Sequence, residues 1–590
     1  MRTLSLFIKR YFAEIVVVLL AVPALLPLFH SGFFTMHDDQ QVARLYELDR
    51  ALAAGQFPAR WVKDLGFGYG YPLFIFYPPL VYYLGEVFHL LFGATYILSI
   101  KLVFVSAFLG AALAMYLWAK EHFGKIGAIV AAAFYTFVPY HAVDAYVRGA
   151  LAELTAFVWL PLILWSTDRL IVKQENKHWL WLALWLALLM LTHNLIFLPF
   201  FPLFIIYASL LLLKTNKLQA TSYKLIKAIL LSFALSAFFW LPALIEKKFT
   251  LVDSILLSEL ANYKLHFVYP SQLWNSLWGY GGSTAGPLDG MSFKIGKLHI
   301  VLALLSPLLF LAAYKIKHVM KLKGELFYCC AVSLLFLLSA FMTTQFSEVI
   351  WKMVSPLQYL QFPWRFLTFA TLFAAFLSGS VVAAVSTLKS HLATGMIAIV
   401  LVALLLYPNL KLFKPQTYLD VGDSYYTNDE FLKWKISKTS FEFVPKGVKT
   451  RKELSEAEER EITQVDIERN NITTEPFSVI SGSGEIKTER NVPGNLKLQI
   501  KSNETMKLQL NTFDFPGWNV RIDGKKVAYS SEKDLRLVTV DVPAGDHTVE
   551  ARFLNTPIRS LANLITAISL IPLLLSTKWL KRTEKKEVKS

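Results

Sequence analysis

Cysteine is nearly absent. The 590 residues hold two, Cys329 and Cys330, side by side in an apolar run. That excludes a disulfide framework outside the membrane and argues against any thiolate metal site. Charge is scarce as well: 17% of residues are Asp, Glu, Lys or Arg, against 55% hydrophobic. With a positive mean hydropathy, this is too apolar for a soluble chain of this length. No Gly-rich strand-to-helix turn of a soluble nucleotide-sugar fold occurs, and no His cluster of the kind that holds zinc. No small-residue cleavage site follows the first apolar run, so it reads as an anchor and not as a removed signal. What is plentiful is aromatic: 45 Phe, 25 Tyr and 15 Trp, suited to lipid-facing helices with interfacial belts. The net charge of +16 would suggest nucleic acid in a soluble protein. Here the basic residues fall in short gaps between apolar runs, so membrane topology accounts for them and nucleic acid is not expected as a partner.

About 20 apolar residues span a bilayer as a helix. Candidate spans begin near Ala13, Ile97, Ile126, Leu154, Trp179, Ile196, Leu225, Leu298, Leu326, Phe366, Leu392 and Ile558. The stretch 71–92 is ambiguous, because it carries Pro72, Pro78, Pro79, Glu86 and His89. If it does not cross, the basic sets around Lys9, Lys120, Lys173, Lys214, Lys315, Lys389 and the tail from Lys578 all gather on one side. If it crosses, every later set flips outward, against the positive-inside rule. The stretch is therefore expected to lie on the outer membrane surface. The expected fold is a mainly α polytopic membrane protein of about twelve transmembrane helices, with both termini cytoplasmic in the cell membrane and a C-terminal extracytoplasmic β-rich domain. In residues, this means a membrane domain over 1–410 with an outer loop at 35–96. An extracytoplasmic domain follows over 411–557, then a final transmembrane helix at 558–577 and a basic cytoplasmic tail at 578–590. Shorter outer segments are expected at 139–153, 246–297 and 343–365.

Within 411–557, period-two alternation appears at 496–500, 507–510, 518–522, 535–542 and 547–553, with turn signals at Asp523-Gly524 and Pro543-Ala544-Gly545. This reads as a β-sandwich or a similar antiparallel unit. The charged stretch 449–471 reads as helix or linker.

The first outer loop opens with His37-Asp38-Asp39 at the mouth of a membrane helix. It continues through Gln56-Phe57-Pro58-Ala59-Arg60-Trp61 into Gly66-Phe67-Gly68-Tyr69-Gly70-Tyr71-Pro72 and Tyr77-Pro78-Pro79. An acid pair at a helix mouth followed by Tyr- and Pro-rich surface helices resembles the first outer loop of the C-type (GT-C) superfamily of glycosyltransferases. Those enzymes use polyprenyl-phosphate sugars and carry an essential acid at this place. Phe134-Tyr135-Thr136-Phe137-Val138-Pro139-Tyr140-His141, with Tyr146-Val147-Arg148-Gly149-Ala150-Leu151-Ala152-Glu153, is similar to a bacterial family of membrane proteins. Its members carry a "6-pyruvoyl-tetrahydropterin synthase-related" domain and resemble YfhO-type proteins. Phe515-Pro516-Gly517-Trp518-Asn519-Val520-Arg521-Ile522-Asp523-Gly524 fits the YfhO-type pattern too. The resemblance covers most of the chain. The pterin label carries no chemistry here, since that soluble enzyme uses a His-ligated zinc.

The resemblance implies sugar transfer from a polyprenyl-phosphate-linked donor in the lipid bilayer to an extracytoplasmic glycan, lipid or protein acceptor. Such transfer needs a carboxylate for the acceptor's proton, positive charge for the departing phosphate, and a groove for the lipid. Asp38 is the first candidate for the carboxylate and Asp39 the second; the alternative is an acid that caps the following helix. Arg148, Arg365 and Arg60 are candidates for the phosphate. For Arg148 the alternative is a local ion pair with Asp144 and Glu153, and for Arg365 it is a snorkelling side chain in an aromatic belt. His37, His141, Glu153, His193, Trp364 and Tyr71 are candidate substrate-binding residues; a lone histidine such as His193 or His141 is also a common packing residue. The sequence points to no particular cofactor. A divalent cation is compatible with the superfamily, and Asp38, Asp39, Asp144 and Glu153 offer it oxygen ligands, but their spacing demands no metal. Competing functions are a flippase or transporter of lipid-linked glycans and a non-catalytic envelope-assembly protein. The sparse charge in the middle of the spans speaks against a transporter.

Overall fold

The computed structural model describes residues 2–215, 218–256, 262–455, 460–472, 474–531 and 534–587, so the last three residues of the basic tail lie outside the described chain. The chain divides into two compact units. The first comprises Met1–Asp39, Lys101–Phe233 and Asn262–Asp420; the second comprises Gln40–Ile100, Ala234–Ala261 and Val421–Ser590.

Among the described residues, nine helices are long and apolar enough to cross a membrane: Lys9–Phe29, Tyr96–Thr136, Leu151–Ile171, Asn194–Thr215, Lys297–Lys317, Leu322–Met342, Pro363–Ser386, His391–Leu412 and Pro557–Leu575. A tenth crossing is available from Thr221–Leu235 and Ala237–Phe249, which meet at 70°. The chain is therefore a mainly α membrane protein with a β-rich C-terminal region. Each of the twelve expected starts falls on an apolar helix, but three of those helices are not straight spans. Tyr96–Thr136 absorbs the starts at Ile97 and Ile126; Gly124, at φ +67° and ψ −176°, breaks it. The run after the break, 125–136, falls short of the roughly 20 residues of a straight crossing. The start at Trp179 is the 15-residue helix His178–Thr192, and the start at Leu225 is the bent pair. The 71–92 stretch forms two short helices, Leu73–Phe76 and Leu80–Phe92. At 1.5 Å per residue neither reaches across about 30 Å of hydrocarbon.

Burial separates central from peripheral helices. In Pro363–Ser386, 94% of the apolar window is buried, against 17% in His391–Leu412. The central helix is rich in small residues, and this permits close approach. A Cβ on Gly379 would stand 2.4 Å from the Gly127 carbonyl oxygen, and one on Gly127 would stand 2.8 Å from that of Gly379. Backbones that touch at glycine are the membrane's substitute for a hydrophobic driving force between helices.

The β-rich region lies in the second unit. Its larger sheet is antiparallel, in the order Lys525–Lys526, Trp518–Ile522, Gly545–Phe553, Asn495–Ser502 and Gly484–Val492. A second sheet orders Leu537–Val542, Met506–Phe513 and Phe477–Ser481. Inward positions alternate: Leu496, Leu498 and Ile500 in one strand, Met506, Leu508 and Leu510 in another. Ile522 pairs with Lys525 around Asp523-Gly524, and both turn residues have positive φ, +50° and +79°. That is the backbone of a type I′ hairpin, which right-twisted strands favour. The 449–471 stretch corrects the sequence reading. It contains a β-hairpin, Thr450–Ser455 against Arg460–Val465. Its charges sit on an exposed ladder, where the alternation is polar throughout and resembles a solvated helix.

Candidate functional site

In the first unit the chain after the first helix returns alongside 147–148. The His37 amide donates to the Val147 carbonyl (3.1 Å) and the Asp38 amide to the Arg148 carbonyl (2.8 Å). Gly149 makes room for this approach: it sits at φ +65°, and a Cβ there would come 2.1 Å from Met36 Sδ. The main chain thereby places Asp38 beside Arg148. Its side chain is exposed, and its charge acts on Arg148 and on Arg365.

Arg148 is held from three sides. One guanidinium nitrogen donates to Asp144, to Glu153 Oε2 (2.8 Å) and to the Tyr140 hydroxyl oxygen (3.4 Å), and its plane lies 4.5 Å from the Trp364 ring centroid. Glu153 is fully buried. Its other oxygen accepts from the Tyr140 hydroxyl (2.8 Å) and the Thr368 hydroxyl (2.8 Å). Burial alone would favour a neutral guanidinium, but Glu153, Asp144, Tyr140 and Asp38 outweigh it, and Arg148 stays charged well above the ordinary arginine range. Asp144 moves the other way. Burial first and the Glu153 charge second push its carboxyl well above the usual range, against the pull of Arg148. Its Oδ2 is buried with no partner among the described residues.

Arg365 belongs to the one-turn 3-10 helix Pro363–Phe366 that opens the central Leu367–Ser386 helix. It is 9% exposed, and its Nε and Nη1 are buried without a hydrogen-bond partner among the described residues. Glu153, Arg148, Tyr140 and Asp38 are its electrostatic neighbours, and the Phe362 ring lies 5.3 Å from its guanidinium carbon. A buried cation with free donors is costly. Trp364, whose indole nitrogen is likewise buried without a partner among the described residues, stacks on Phe362 at 4.9 Å.

His193 sits in the break between His178–Thr192 and Asn194–Thr215, where its Nδ1 accepts from the Ile196 amide (3.2 Å). Arg365, Glu153 and Arg148 act on it. His37 Nε2 meets the Tyr280 carbonyl (2.9 Å), and the Tyr280 hydroxyl donates to the Lys414 carbonyl (3.0 Å). The Trp278-Gly279-Tyr280-Gly281-Gly282 loop is thus laid against His37. His141 is fully buried, stacked on Phe157 at 4.5 Å, with Nδ1 toward the Tyr135 and Thr136 carbonyls and Nε2 buried without a partner among the described residues. Burial pushes its imidazole down to about 4.

Arg60 and Tyr71 belong to the second unit. Arg60 donates to Asn563 Oδ1 (3.0 Å) and has Nε and Nη1 buried without a partner among the described residues. Tyr71 is fully buried, with its hydroxyl accepting from the Phe443 amide (3.0 Å). Asp39 is half-buried. The first unit therefore brings together Asp38, Arg148, Glu153, Arg365, Trp364 and His193. Sequence reasoning passed over Tyr140 and Thr368 as site residues. The available signal was spacing, because Thr368 lies three residues after Arg365 on one helical face. Among the described residues no group of three His, Cys, Asp or Glu side chains is arranged to hold a metal ion; Arg148 engages the carboxylates of Asp144 and Glu153.

A family model described as the 6-pyruvoyl-tetrahydropterin synthase related domain, a membrane protein, matches residues 74–413. No curated protein matches the chain. Among solved structures, it is similar to the crystal structure of the Archaeoglobus fulgidus oligosaccharyltransferase tethered through a disulfide bond to an acceptor peptide containing the NVT sequon. The TM-score is 0.44 at 14% identity, covering 72% of this chain and 56% of that one. For the apo form of the same enzyme the values are 0.39 and 14%, covering 69% and 56%. The chain thus spans little more than half the length of that enzyme.

Proposed function

The chain belongs to the family of membrane proteins defined by the 6-pyruvoyl-tetrahydropterin synthase related domain, and from that premise we propose that it is a membrane glycosyltransferase. In this reading it moves a sugar from a polyprenyl-phosphate carrier to an acceptor on the outer side of the cytoplasmic membrane. The observation that carries the reading is the Arg365 guanidinium, buried with free donors among the described residues and within electrostatic reach of the exposed Asp38 carboxylate. The acceptor's hydroxyl or amide oxygen or nitrogen attacks the anomeric carbon, Asp38 takes its proton, and the bond from that carbon to the phosphate oxygen breaks. The electron pair leaves with the polyprenyl phosphate. Arg365, backed by Arg148, stabilises the leaving charge where the surroundings keep water away and electrostatics strong. Glu153 holds Arg148 in place, Trp364 covers it, and His193 stands at the edge. Asp39 supports the acid at the helix mouth, and His37 fixes the Tyr280 loop over it. Arg365 supplies the positive charge for the phosphate, since Asp144 and Glu153 engage Arg148. Arg60 and Tyr71 are not assigned to the transfer step.

Incubation of the purified protein with a radiolabelled polyprenyl-phosphate sugar and membrane acceptors tests the reading. It expects bond cleavage with release of polyprenyl phosphate, lost in Asp38→Asn while membrane insertion persists. Movement of the intact donor across vesicles without cleavage would instead make the protein a flippase, and neither outcome would make it an assembly protein.

A further inference from the structure

The second unit holds a cleft that the transfer reading does not use. It encloses about 590 Å³ of space free of atoms, part of it open to solvent, between the Trp61–Gly70 segment and the ends of strands Asn495–Ser502, Met506–Phe513 and Trp518–Ile522. Three polar atoms in its lining are buried with no partner among the described residues: Asn495 Oδ1, Thr512 Oγ1 and Trp518 Nε1. They supply an acceptor, a hydroxyl that both donates and accepts, and a donor. Buried polar atoms are normally satisfied, so three exceptions on one cleft mark a ligand's hydrogen bonds. Thr512 is half-buried between buried Asn511 and Phe513, past a register shift in its strand, and its hydroxyl is one of the three.

The walls are aromatic. Trp518 is 9% exposed and is backed edge-on by Trp61 at 5.3 Å; Tyr69 leans on Phe513 at 5.5 Å. Gly70 keeps this corner open to the indole, since a Cβ there would meet Trp61 Nε1 at 2.4 Å. The charges cancel: Lys63 and Lys433 against Asp64 and Glu475. The cations are engaged as well, Lys63 on the Asn491 carbonyl (3.2 Å) and Lys433 on Asp429 (2.7 Å). Among the described residues of the lining, no free cation is left for a phosphate or a carboxylate ligand.

From this combination we infer that the cleft binds a short neutral saccharide segment. Its hydroxyls are read by Asn495, Thr512 and Trp518, at an edge of the buried aromatic cluster Trp61, Tyr69 and Trp518. The site is separate from the Asp38–Arg365 constellation and does not depend on the transfer reading.

The full-length protein in lipid nanodiscs is titrated with maltotriose, chitotriose and mannotriose by saturation-transfer NMR. At least one binds, and Thr512→Val and Trp518→Phe each weaken it about tenfold, the loss of one buried hydrogen bond. The Thr512→Val variant keeps or raises the melting temperature, which separates lost recognition from misfolding. Arg365→Gln leaves saccharide binding intact. The assignment is overturned if none of the three sugars binds, if both cleft variants bind as the wild type does, or if binding requires Arg365.

Discussion

Gly149 is where one atom more would be felt at the candidate site. Its φ of +65° is costly for any residue with a Cβ, by roughly 1–2 kcal/mol. The added carbon would also press on Met36 Sδ, Cγ and Cβ at 2.1–2.9 Å. Gly149→Ala is expected to move the 36–38 segment away from Val147 and Arg148 and to lower transfer at unchanged donor affinity; wild-type turnover would show that Asp38 is not positioned by this contact. A second residue-scale prediction concerns Glu47. Its Oε2 accepts from the Lys63 and Asp64 amides at 2.9 and 3.3 Å. Burial, then the Asp64 charge, push its carboxyl from an ordinary 4.5 up to about 8. A raised acid stabilises the fold fully below its unfolded value and loses that contribution as pH climbs through the folded one. Thermal unfolding of the wild type should therefore fall, relative to Glu47→Gln, as pH rises from about 5 to about 8.5. Parallel curves would mean that Glu47 ionises freely.

Helices and strands were legible in the sequence to very different degrees. Hydropathy, a property of composition, marked apolar helices at the expected starts, of which nine, or ten with the bent pair, are long enough to cross among the described residues. The break at Gly124, the short His178–Thr192 helix and the 70° bend after Leu235 were not legible, because they depend on which helix lies alongside. The alternation at 496–500, 507–510, 518–522 and 547–553 anticipated strands, since each buries one face. The 450–465 hairpin was missed because it buries almost none. At the site, Asp38, Arg148, Glu153 and Arg365 were each visible as charge at a helix end. That Arg148 is spoken for by Asp144 and Glu153 while Arg365 is left with free donors depends on side-chain geometry that spacing does not encode. The Gly127–Gly379 crossing is testable at this scale. Gly379→Leu places a branched side chain against the Gly127 carbonyl and Ala131, and overpacking costs about 1–3 kcal/mol. A lower melting temperature is expected, while Gly395→Leu, which meets nothing within 4 Å, leaves it unchanged. Equal effects would remove the crossing as a tight contact.

For the whole molecule the account adds a direction to the apolar helices. The proposed transfer requires Asp38 to face outward, the orientation that the positive-inside rule leads the sequence reading to expect. In a variant lacking Cys329 and Cys330, single cysteines at Asp39 and Lys414 should react with an impermeant maleimide on intact cells. Cysteines at Lys173 and Lys389 should react only after permeabilisation. The reverse pattern would invert the protein and move the candidate site to the cytoplasm. The central claim is narrower still: the donor's phosphate rests on Arg365 opposite Asp38. A cryo-EM map of the protein with bound polyprenyl phosphate reads this directly. The account predicts phosphate density within hydrogen-bonding distance of the Arg365 guanidinium; density at another cationic position, with Arg365 untouched, would contradict it.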